Sequence, residues 1–360
     1  MSPLAFVADV HLGNHRRQGG PKISGINRRA QETLDVLEAA AFRATEDGTR
    51  LMVLGDLFDS MRPNPQIMAA AMAALPHDAI VLKGNHDSAS DHPEDHALGP
   101  LAWPRGRQVI SEPTILDVDG LEVWAVPFQS GHASEWLPDV LAGLESGDSA
   151  GRSCRPASPT GRILTLHLGV EDGTTPEFLK GAHDSIPAAT LHQLQQKHKI
   201  GHVFTGNWHN HAKWDDEGNH ITQVGALVPT GWDNPGRRYG GLAYSDGSME
   251  FLPGPRFLKL TPEDPIPTDD GNLYYVRLLA TRKHAKAAEV WAQEARDYNH
   301  IRAVEVLPEP KELSRKVAAA AAGAKSADTL NEAVHAYLGE AVEDEDQRAQ
   351  VEAKVRYYLG

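Results

Sequence analysis

The feature that most constrains the fold is a set of apolar, strand-like runs that end in aspartate, histidine or asparagine. Segments with helical apolar spacing, at 27–47 and 65–75, separate the first three runs. Strand–helix–strand alternation predicts a parallel sheet, and ligands of such sheets gather at the carboxyl ends of the strands. The five runs are "LAFVADVH" (4–11), "RLMVLGDLFD" (50–59), "DAIVLKGNHD" (78–87), "RILTLHLGV" (162–170) and "VFTGNWHNHAKW" (203–214).

After residue 108 the pattern changes to hairpins and shorter strands. The run 114–128 contains Asp119-Gly120, a pair that favours a tight turn between two antiparallel strands. A helix is predicted over 135–145, and the Gly/Ser/Pro-rich segment 146–161 is predicted to be a loop. Together with strands at 202–206, 220–228 and 241–253, these elements predict an α/β fold, with two layered sheets and helices on the outer faces.

The chain divides into three predicted parts. Residues 1–258 form the layered domain, and 259–310 hold a Pro-rich linker followed by a small βαβ-like cap. Residues 311–360 form a charged C-terminal helical tail. One stripe of this tail is apolar, which suits either a docking surface or a solvated terminal helix pair.

Composition limits the class of protein. The 360 residues are 41% hydrophobic without a run long enough to span a bilayer, and the start of the chain lacks the pattern of a signal peptide. A single cysteine excludes a disulfide framework. We therefore expect a cytoplasmic protein, in bacteria or in a phage-infected host, without membrane association. The formal net charge of −14 argues against general affinity for nucleic acid, which depends on neutralising phosphates.

The polar strand ends together suit metal chemistry. Each motif alone is a weak signal, but five in this order are a mixed set of carboxylate, imidazole and amide ligands. Such a set suits two divalent cations that share one carboxylate, with manganese, zinc or iron as the metal.

Over residues 4–250 the order of these motifs resembles the calcineurin-like metallophosphoesterase superfamily. The resemblance implies that Asp9 and His11 bind a first metal, that Asp56 bridges both metals, and that Asn85 and His167 bind the second. The family closes its site with Gly-His-x-His, and its two histidines bind one metal each. Here the motif reads Gly206-Asn207-Trp208-His209, so that Asn207 stands in the place of a ligand to the second metal.

Two alignments of this last motif are open. In the first, His209 binds the first metal and Asn207 weakens the second site, because a neutral amide is a poorer ligand than imidazole. In the second, His209 and His211 form the pair, and Trp208 replaces the glycine after the strand. The strand-to-turn position of Gly206 favours the first alignment.

The resemblance also implies a catalytic pair. His86 would protonate the leaving alkoxide, and Asp59 would orient the imidazole of His86. The alternative role for His86 is a capping histidine in a turn.

A narrower resemblance is to the SbcD-type DNA repair nucleases and the nuclease subunits of phage recombination endonucleases. It rests on "VGALVPTGWDNPGRRYGGLAYSD" (224–246), where Ala226 and Val228 depart from the pattern. It implies a manganese-dependent DNA exonuclease or endonuclease, with magnesium, zinc or iron as other candidate metals. It also implies a cap that faces DNA, a tail that docks on an SbcC-like coiled-coil ATPase subunit, and a homodimer.

Basic residues are placed consistently with DNA binding. Arg16, Arg17 and Lys22, with Arg28 and Arg29 behind them, follow the first motif, and Arg237 and Arg238 follow the last. Loops at these positions would open on the metal face and hold a phosphate backbone. The alternative is that these residues only promote solubility.

The sequence therefore predicts a two-metal phosphodiesterase that acts on DNA ends. Two alternatives remain. One is a phosphodiesterase or pyrophosphatase for small molecules on the same scaffold. The other is a DNA-end-binding scaffold whose metal site is weakened by Asn207.

Overall fold

The fold is known from a computed structural model, which describes residues 3–15, 19–90, 92–102, 106–147, 151–152, 161–175, 180–216, 218–232 and 239–308. Within these ranges the helices are α1 (Arg28–Glu46), α2 (Pro65–Ala74), α3 (Ala133–Ser146), α4 (Ala188–His198) and α5 (Ala285–Ala295). The strands are β1 (Leu4–Val7), β2 (Lys22–Ile23), β3 (Ile26–Asn27), β4 (Arg50–Leu54), β5 (Ile80–Leu82), β6 (Gln108–Ile110), β7 (Thr114–Val118), β8 (Leu121–Val126), β9 (Gly151–Arg152), β10 (Gly161–His167), β11 (Gly169–Glu171), β12 (Ser185–Pro187), β13 (His202–Gly206), β14 (Ala212–Asp216), β15 (Asn219–Gln223), β16 (Gly241–Tyr244), β17 (Met249–Phe251), β18 (Pro255–Leu260), β19 (Leu273–Ala280) and β20 (Ile301–Pro308).

Two sheets form the centre of the molecule. One has the order β17-β16-β1-β4-β5-β6 and the other β14-β15-β13-β10-β8-β7-β9. Side chains alternate between the faces of β1, as the pleat of a strand requires. Leu4 and Phe6 point into the core between the sheets, where the Phe6 and Phe204 rings stack with centroids 4.3 Å apart. Ala5 and Val7 point to the other face.

The outer faces of both sheets are covered by helices. The apolar side chains of α1 and α2 pack on the first sheet, and those of α3 and α4 pack on the second. This helix–sheet–sheet–helix layering confirms the predicted fold class. Four elements of it were not predicted: α4, β6, β14 and β9, the last of which lies within the segment predicted to be a loop. The predicted strand 162–170 is split after His167 into β10 and β11, which belong to different sheets.

The predicted helix cap at Asn27 and the predicted turn at Asp119-Gly120 are both present in the structure. The side chain of Asn27 caps α1 by accepting a hydrogen bond from the Ala30 N–H at 2.9 Å. Its main-chain N–H also donates to Asn14 Oδ1 at 2.7 Å, which fixes the loop after His11 to the start of the helix. Asp119 and Gly120 both have positive φ, 51° and 85°, as a two-residue turn between β7 and β8 requires.

A third, small sheet has the order β18-β19-β20, with all strands parallel and α5 connecting β19 to β20. This is the predicted βαβ arrangement, with β18 as an additional strand that begins before the expected boundary at residue 258. The sheet contacts α1 through Glu32, which accepts a hydrogen bond from Tyr275 Oη at 2.6 Å and pairs with Arg302 Nε at 2.9 Å. The predicted tail, 311–360, lies outside the described residues.

The helices within the described ranges are too short or too polar to cross a membrane.

Candidate metal centre

The polar side chains meet where the two sheets present the carboxyl ends of their strands. The loops after β1 and β4 are joined by main-chain hydrogen bonds, from the Asp9 N–H to the Gly55 carbonyl at 3.3 Å and from the His11 N–H to the Asp56 carbonyl at 2.9 Å. The His167 Nδ1 lies 2.7 Å from the Leu54 carbonyl, and this contact links β10 of the second sheet to the end of β4.

Strained backbone marks the same place. The described residues other than glycine with positive φ include Asp9 (48°), His11 (47°), Asp56 (50°) and Asn207 (80°). Left-handed backbone is unfavourable for side chains with a Cβ and persists where the surrounding structure enforces it, most often at functional sites. Most residues of this kind in the described part of the chain therefore belong to one cluster.

One group of potential ligands consists of Asp9, His11 and His209. Their ligand atoms all lie within 4.8 Å of one another, and His11 Nε2 is 3.0 Å from His209 Nε2. Two imidazole nitrogens at this distance suit a shared hydrogen bond or a shared cation. The Nδ1 of His11 is buried and makes no hydrogen bond in the described structure.

Asp56 lies between this group and a second one. Its Oδ2 is 3.7 Å from His11 Nε2, and its Oδ1 is 3.4 Å from His167 Nε2. The two oxygens of one carboxylate therefore face two different imidazoles. Asp9, Asp56 and His167, which are all buried, again bring their ligand atoms within 4.8 Å of one another.

Asn85 completes the second group. The end of its amide that faces the site lies 2.9 Å from His167 Nε2 and 3.1 and 3.3 Å from the two oxygens of Asp56. With oxygen at this end, the amide accepts from a protonated His167 Nε2 and faces the lone pairs of the Asp56 oxygens, where a cation would be shared. With nitrogen there, it donates to all three atoms. The two orientations differ by a half-turn of the amide.

Burial and mutual charge shift the pKa values of the cluster. Burial raises the pKa of Asp9 to about 6 and lowers the pKa of His11 to about 3. Burial acts against the charged forms of Asp56 and His167 as well, but their mutual attraction is stronger. It holds the pKa of Asp56 well below its ordinary value and raises the pKa of His167 to about 9.

This donor set fits divalent metal ions. It combines two buried carboxylates, three imidazoles and one amide, which are ligands of manganese, iron and zinc. Asp9, His11 and His209 would hold one ion, and Asn85 and His167 the other. The two oxygens of Asp56 would serve both.

The model of the calcineurin-like phosphoesterase family matches residues 2–211, which is more than half of the chain. The chain belongs to this family. Members of the family use divalent metal ions, and the clusters described above contain the aspartates and histidines for them.

Several solved structures are similar to the chain. A putative 5′-nucleotidase from Staphylococcus aureus is 15% identical, with 62% of this chain and 48% of that one covered and a TM-score of 0.39. A dimetal phosphatase from Danio rerio is 12% identical, with 68% and 93% covered and a TM-score of 0.40. A purple acid phosphatase from yellow lupin is 15% identical, with 58% and 38% covered and a TM-score of 0.36. The chain thus spans about half the length of the nucleotidase. No curated protein matches it.

Asn207 is where this phosphoesterase departs from the family motif. Its main-chain N–H donates to both oxygens of Asp9, at 2.9 and 3.1 Å. Its side-chain nitrogen donates to the carbonyl and the carboxylate of Asp184, both at 3.0 Å. Asp184, which was not predicted from the sequence, therefore fixes the orientation of the Asn207 amide.

His211 lies apart from the ligand groups. Its Nδ1 is 2.9 Å from the Gln223 carbonyl, and its ring meets the edge of Phe251 with centroids 5.5 Å apart. His209, in contrast, lies against His11. This geometry favours the alignment in which His209, rather than His211, closes the site.

His86 lies beside the cluster at an exposed position. Its main-chain N–H donates to Asp56 Oδ1 at 2.9 Å, and its ring is 4.8 Å from that of His11 between centroids. The expected contact with Asp59 is made differently. His86 Nδ1 lies 3.3 Å from the main-chain carbonyl of Asp59, and the Asp59 carboxylate faces His11 Nδ1 at 3.9 Å and His15 Nδ1 at 3.7 Å.

Asp87 is a positioning residue that was not predicted from the sequence. It is fully buried and accepts hydrogen bonds from the main-chain N–H groups of Phe58 and Gly84, both at 3.0 Å, and of Leu57 at 3.4 Å. It therefore joins the two loops that carry Asp56 and Asn85. Burial, with the nearby Asp56 charge, raises its pKa to about 7. Its place directly after Gly-Asn-His was the available signal.

The predicted DNA-binding residues are only partly described. Lys22 is exposed on β2, whereas the other four, Arg16, Arg17, Arg237 and Arg238, lie outside the described residues. The expected contribution of Arg29 to a basic loop is wrong, because Arg29 lies on α1 and is buried. Its guanidinium donates to the Pro229 carbonyl at 3.1 Å and to the Thr230 carbonyl, so that it supports the fold there.

Proposed function

We propose that this phosphoesterase hydrolyses phosphodiester bonds of DNA at strand ends, with two manganese ions as cofactors. The observation that carries the proposal of a two-metal reaction is the position of Asp56, whose oxygens face His11 on one side and His167 on the other. A single carboxylate so placed can serve two cations, and two-metal sites stabilise both the attacking and the leaving oxygen of phosphoryl transfer.

The small sheet β18-β19-β20 supports DNA as the substrate. It packs on the segment 224–246 that resembles SbcD-type nucleases, because Trp232 meets the Phe257 ring edge-on, 4.9 Å between centroids. The guanidinium of Arg277 lies 4.4 Å above the Trp232 ring. The segment after the last metal motif is therefore held against the small sheet. The extended surface that this packing creates suits binding of a long polymer. An enzyme for small molecules would not need it.

The residues of the site have separable roles in this reaction. The metals would be held by Asp9, His11, Asp56, Asn85, His167 and His209. When bound, they would neutralise phosphoryl charge and lower the pKa of a water to near neutrality. Asp87 holds the loops that carry Asp56 and Asn85 together through its hydrogen bonds to their main-chain N–H groups. Asn207 orients Asp9 through its main-chain N–H.

His86 is the proposed general acid. A main-chain carbonyl only accepts hydrogen bonds, so the contact with Asp59 needs a proton on His86 Nδ1. The proton on Nε2 of the imidazolium is then the one to be transferred to the leaving alkoxide. The exposed position of His86 at the edge of the cluster leaves it accessible to a substrate.

We further propose that the chain works as a homodimer with an SbcC-like coiled-coil ATPase, docked through residues 311–360. The support is the apolar stripe in the sequence of that segment. Deletion of 311–360 should abolish co-purification with such an ATPase and leave hydrolysis of a chromogenic diester intact.

A substrate comparison tests the proposed reaction. End-labelled duplex DNA, single-stranded DNA and a chromogenic phosphodiester would be incubated with the full chain and manganese, with EDTA as the control. We expect metal-dependent shortening of DNA from its ends. Cleavage of the chromogenic diester alone would instead support the small-molecule enzyme. Binding of DNA ends without any hydrolysis would support the scaffold.

A further inference from the structure

A cavity of about 440 Å³ opens directly beside the metal centre. It shares Asn207 and His209 with the metal centre, and two tryptophans, Trp208 and Trp214, form part of its wall. This volume is within the range of small-molecule sites, roughly 300–1,000 Å³. A ligand in the cavity would therefore be continuous with a phosphate held at the metals.

Both indoles are fixed in place. Trp208 lies flat on the main chain at Gly169, where a Cβ would come closer to the indole than van der Waals contact allows. Trp214 donates from Nε1 to Asp172 Oδ2 at 3.0 Å. Asp172 in turn accepts hydrogen bonds at its other oxygen from the Thr174 N–H at 2.7 Å and the Thr175 N–H at 3.0 Å. Aromatic surfaces held in this way lose little conformational entropy when a ligand binds.

The cavity is also lined by amide side chains, among them those of Gln223 and Asn210. Gln223 is buried, accepts from the Val170 N–H at 3.1 Å and donates to the Asn210 carbonyl at 2.7 Å. The Asn210 side chain is exposed at the rim. Indole rings and amide groups that line one cavity match the chemistry of a nucleobase, which has a π-face for stacking and polar atoms on its rim.

We propose that this cavity is a base-binding subsite, in which a nucleobase stacks on one of the indoles of Trp208 and Trp214 and contacts the other, while its own phosphate lies at the metal centre. The inference rests on the proposed function in so far as the phosphoester is a nucleotide. It adds that the terminal nucleotide of the substrate is unstacked from its neighbour. It also assigns Trp208, Trp214 and Asn210 as specificity-determining residues.

Two matched substrates test the subsite without the need for DNA cleavage. They are the p-nitrophenyl ester of thymidine 5′-phosphate and the p-nitrophenyl ester of 1,2-dideoxyribose 5-phosphate, in which a hydrogen replaces the base. Because both release nitrophenolate, the chemical step is the same. We expect kcat/KM to be about tenfold higher for the ester with the base, as stacking of one base is typically worth this much or more.

The variants are Trp208→Ala and Trp214→Ala, with Trp136→Ala on α3, outside the cavity, as the matched control. The readout is the ratio of the two kcat/KM values, because Trp208 stands between two residues of the metal centre. The ratio should fall toward one in both cavity variants and stay at the wild-type value in the control. Quenching of tryptophan fluorescence by deoxyadenosine monophosphate in EDTA gives a second readout, which should weaken in the same two variants.

A wild-type ratio near one, or a ratio unchanged in both cavity variants, would overturn the subsite. Failure of the DNA proposal is distinguishable from this result. In that case oligonucleotides resist cleavage while the preference for the ester with a base persists, and the subsite then serves a mononucleotide substrate.

Discussion

At the scale of single residues, the motifs at the strand ends identify the site, and the contacts between them complete it. The polar strand ends indicated a metal site, and the resemblance of their order to the phosphoesterase family implied Asp9, His11, Asp56 and His167 as ligands. The sequence could not predict that Asp59 would reach His86 through its main-chain carbonyl. Every residue has a main-chain carbonyl, so the residue type does not indicate which carbonyl makes a contact of this kind.

Asn207→His tests the alignment of the last motif. The substitution puts an imidazole in place of an amide whose nitrogen is directed to Asp184, and histidine tolerates the left-handed backbone at this position better than most residues. Metal affinity at the second site should rise by about tenfold, measured by calorimetric titration with manganese. His211→Ala is the control and should have little effect. A severe loss in His211→Ala, with Asn207→His silent, would support the other alignment.

His86→Ala tests the general acid. The rate on DNA, whose leaving alkoxide needs a proton, should fall by about 100-fold or more, the usual contribution of such a group. The nitrophenolate of a chromogenic diester needs little protonation, so its release should fall much less. Steady-state rates on both substrates decide the matter, with metal binding measured in parallel. Equal losses on the two would assign His86 a role other than proton transfer.

Binding of the second metal should release more protons than binding of the first. The pKa of His167 is raised to about 9 by Asp56, so this imidazole is protonated at pH 7 and must lose its proton to bind a metal. The pKa of His11 is lowered to about 3 by burial, so it is already neutral. The second metal should therefore release about one proton at pH 7 and bind more tightly as the pH rises toward 9.

Calorimetry in two buffers of different ionisation enthalpy counts these protons. Equal proton release from both sites, or affinity that does not change between pH 7 and 9, would contradict the assigned protonation of His167.

At the scale of elements, the sequence correctly predicted the features that depend on residues close together in the chain. Asn27 caps α1 and Asp119-Gly120 turns the hairpin, since both act within a few residues. The helix α4 was missed because it follows Pro187 without a side-chain cap and ends at Lys199 in left-handed conformation, where glycine is the usual signal. The edge strand β14 was missed because its residues are mostly polar and largely exposed.

The contact between α1 and β19 should contribute measurably to stability. Tyr275→Phe removes the hydroxyl that donates to the buried Glu32 carboxylate at 2.6 Å. The free energy of unfolding should fall by about 1–3 kcal/mol, the usual cost of leaving a buried polar group without its partner. Urea unfolding of the full chain provides the measurement. Tyr244→Phe is the matched control, as its hydroxyl bonds the more exposed Asp47 at 2.7 Å and should cost less. An equal loss of unfolding free energy in the two variants would mean that the burial of Glu32 does not increase the contribution of this hydrogen bond to stability.

At the scale of the whole molecule, the sequence predicted the layers but not how distant parts meet. The pairing of β18 with β19, across the Pro-rich segment between them, depends on long-range contacts that periodicity does not encode. The burial of Arg29 against the carbonyls of Pro229 and Thr230 has the same origin. The strand pairing extends the small sheet, whereas Arg29 joins α1 to the segment after the last metal motif and, through the Phe257 ring 4.9 Å from its guanidinium, to the small sheet.

In the proposed site, two divalent metals share Asp56. The most direct measurement is the manganese stoichiometry of the full chain by calorimetric titration, for the wild type and for Asp56→Asn. Asp35→Asn, at an exposed position on α1, is the control. Wild type and control should bind two ions per chain. Asp56→Asn should lose tight binding at both sites and nearly all hydrolysis, with an unchanged circular dichroism spectrum. One ion per wild-type chain, or near-normal turnover in Asp56→Asn, would contradict the two-metal site.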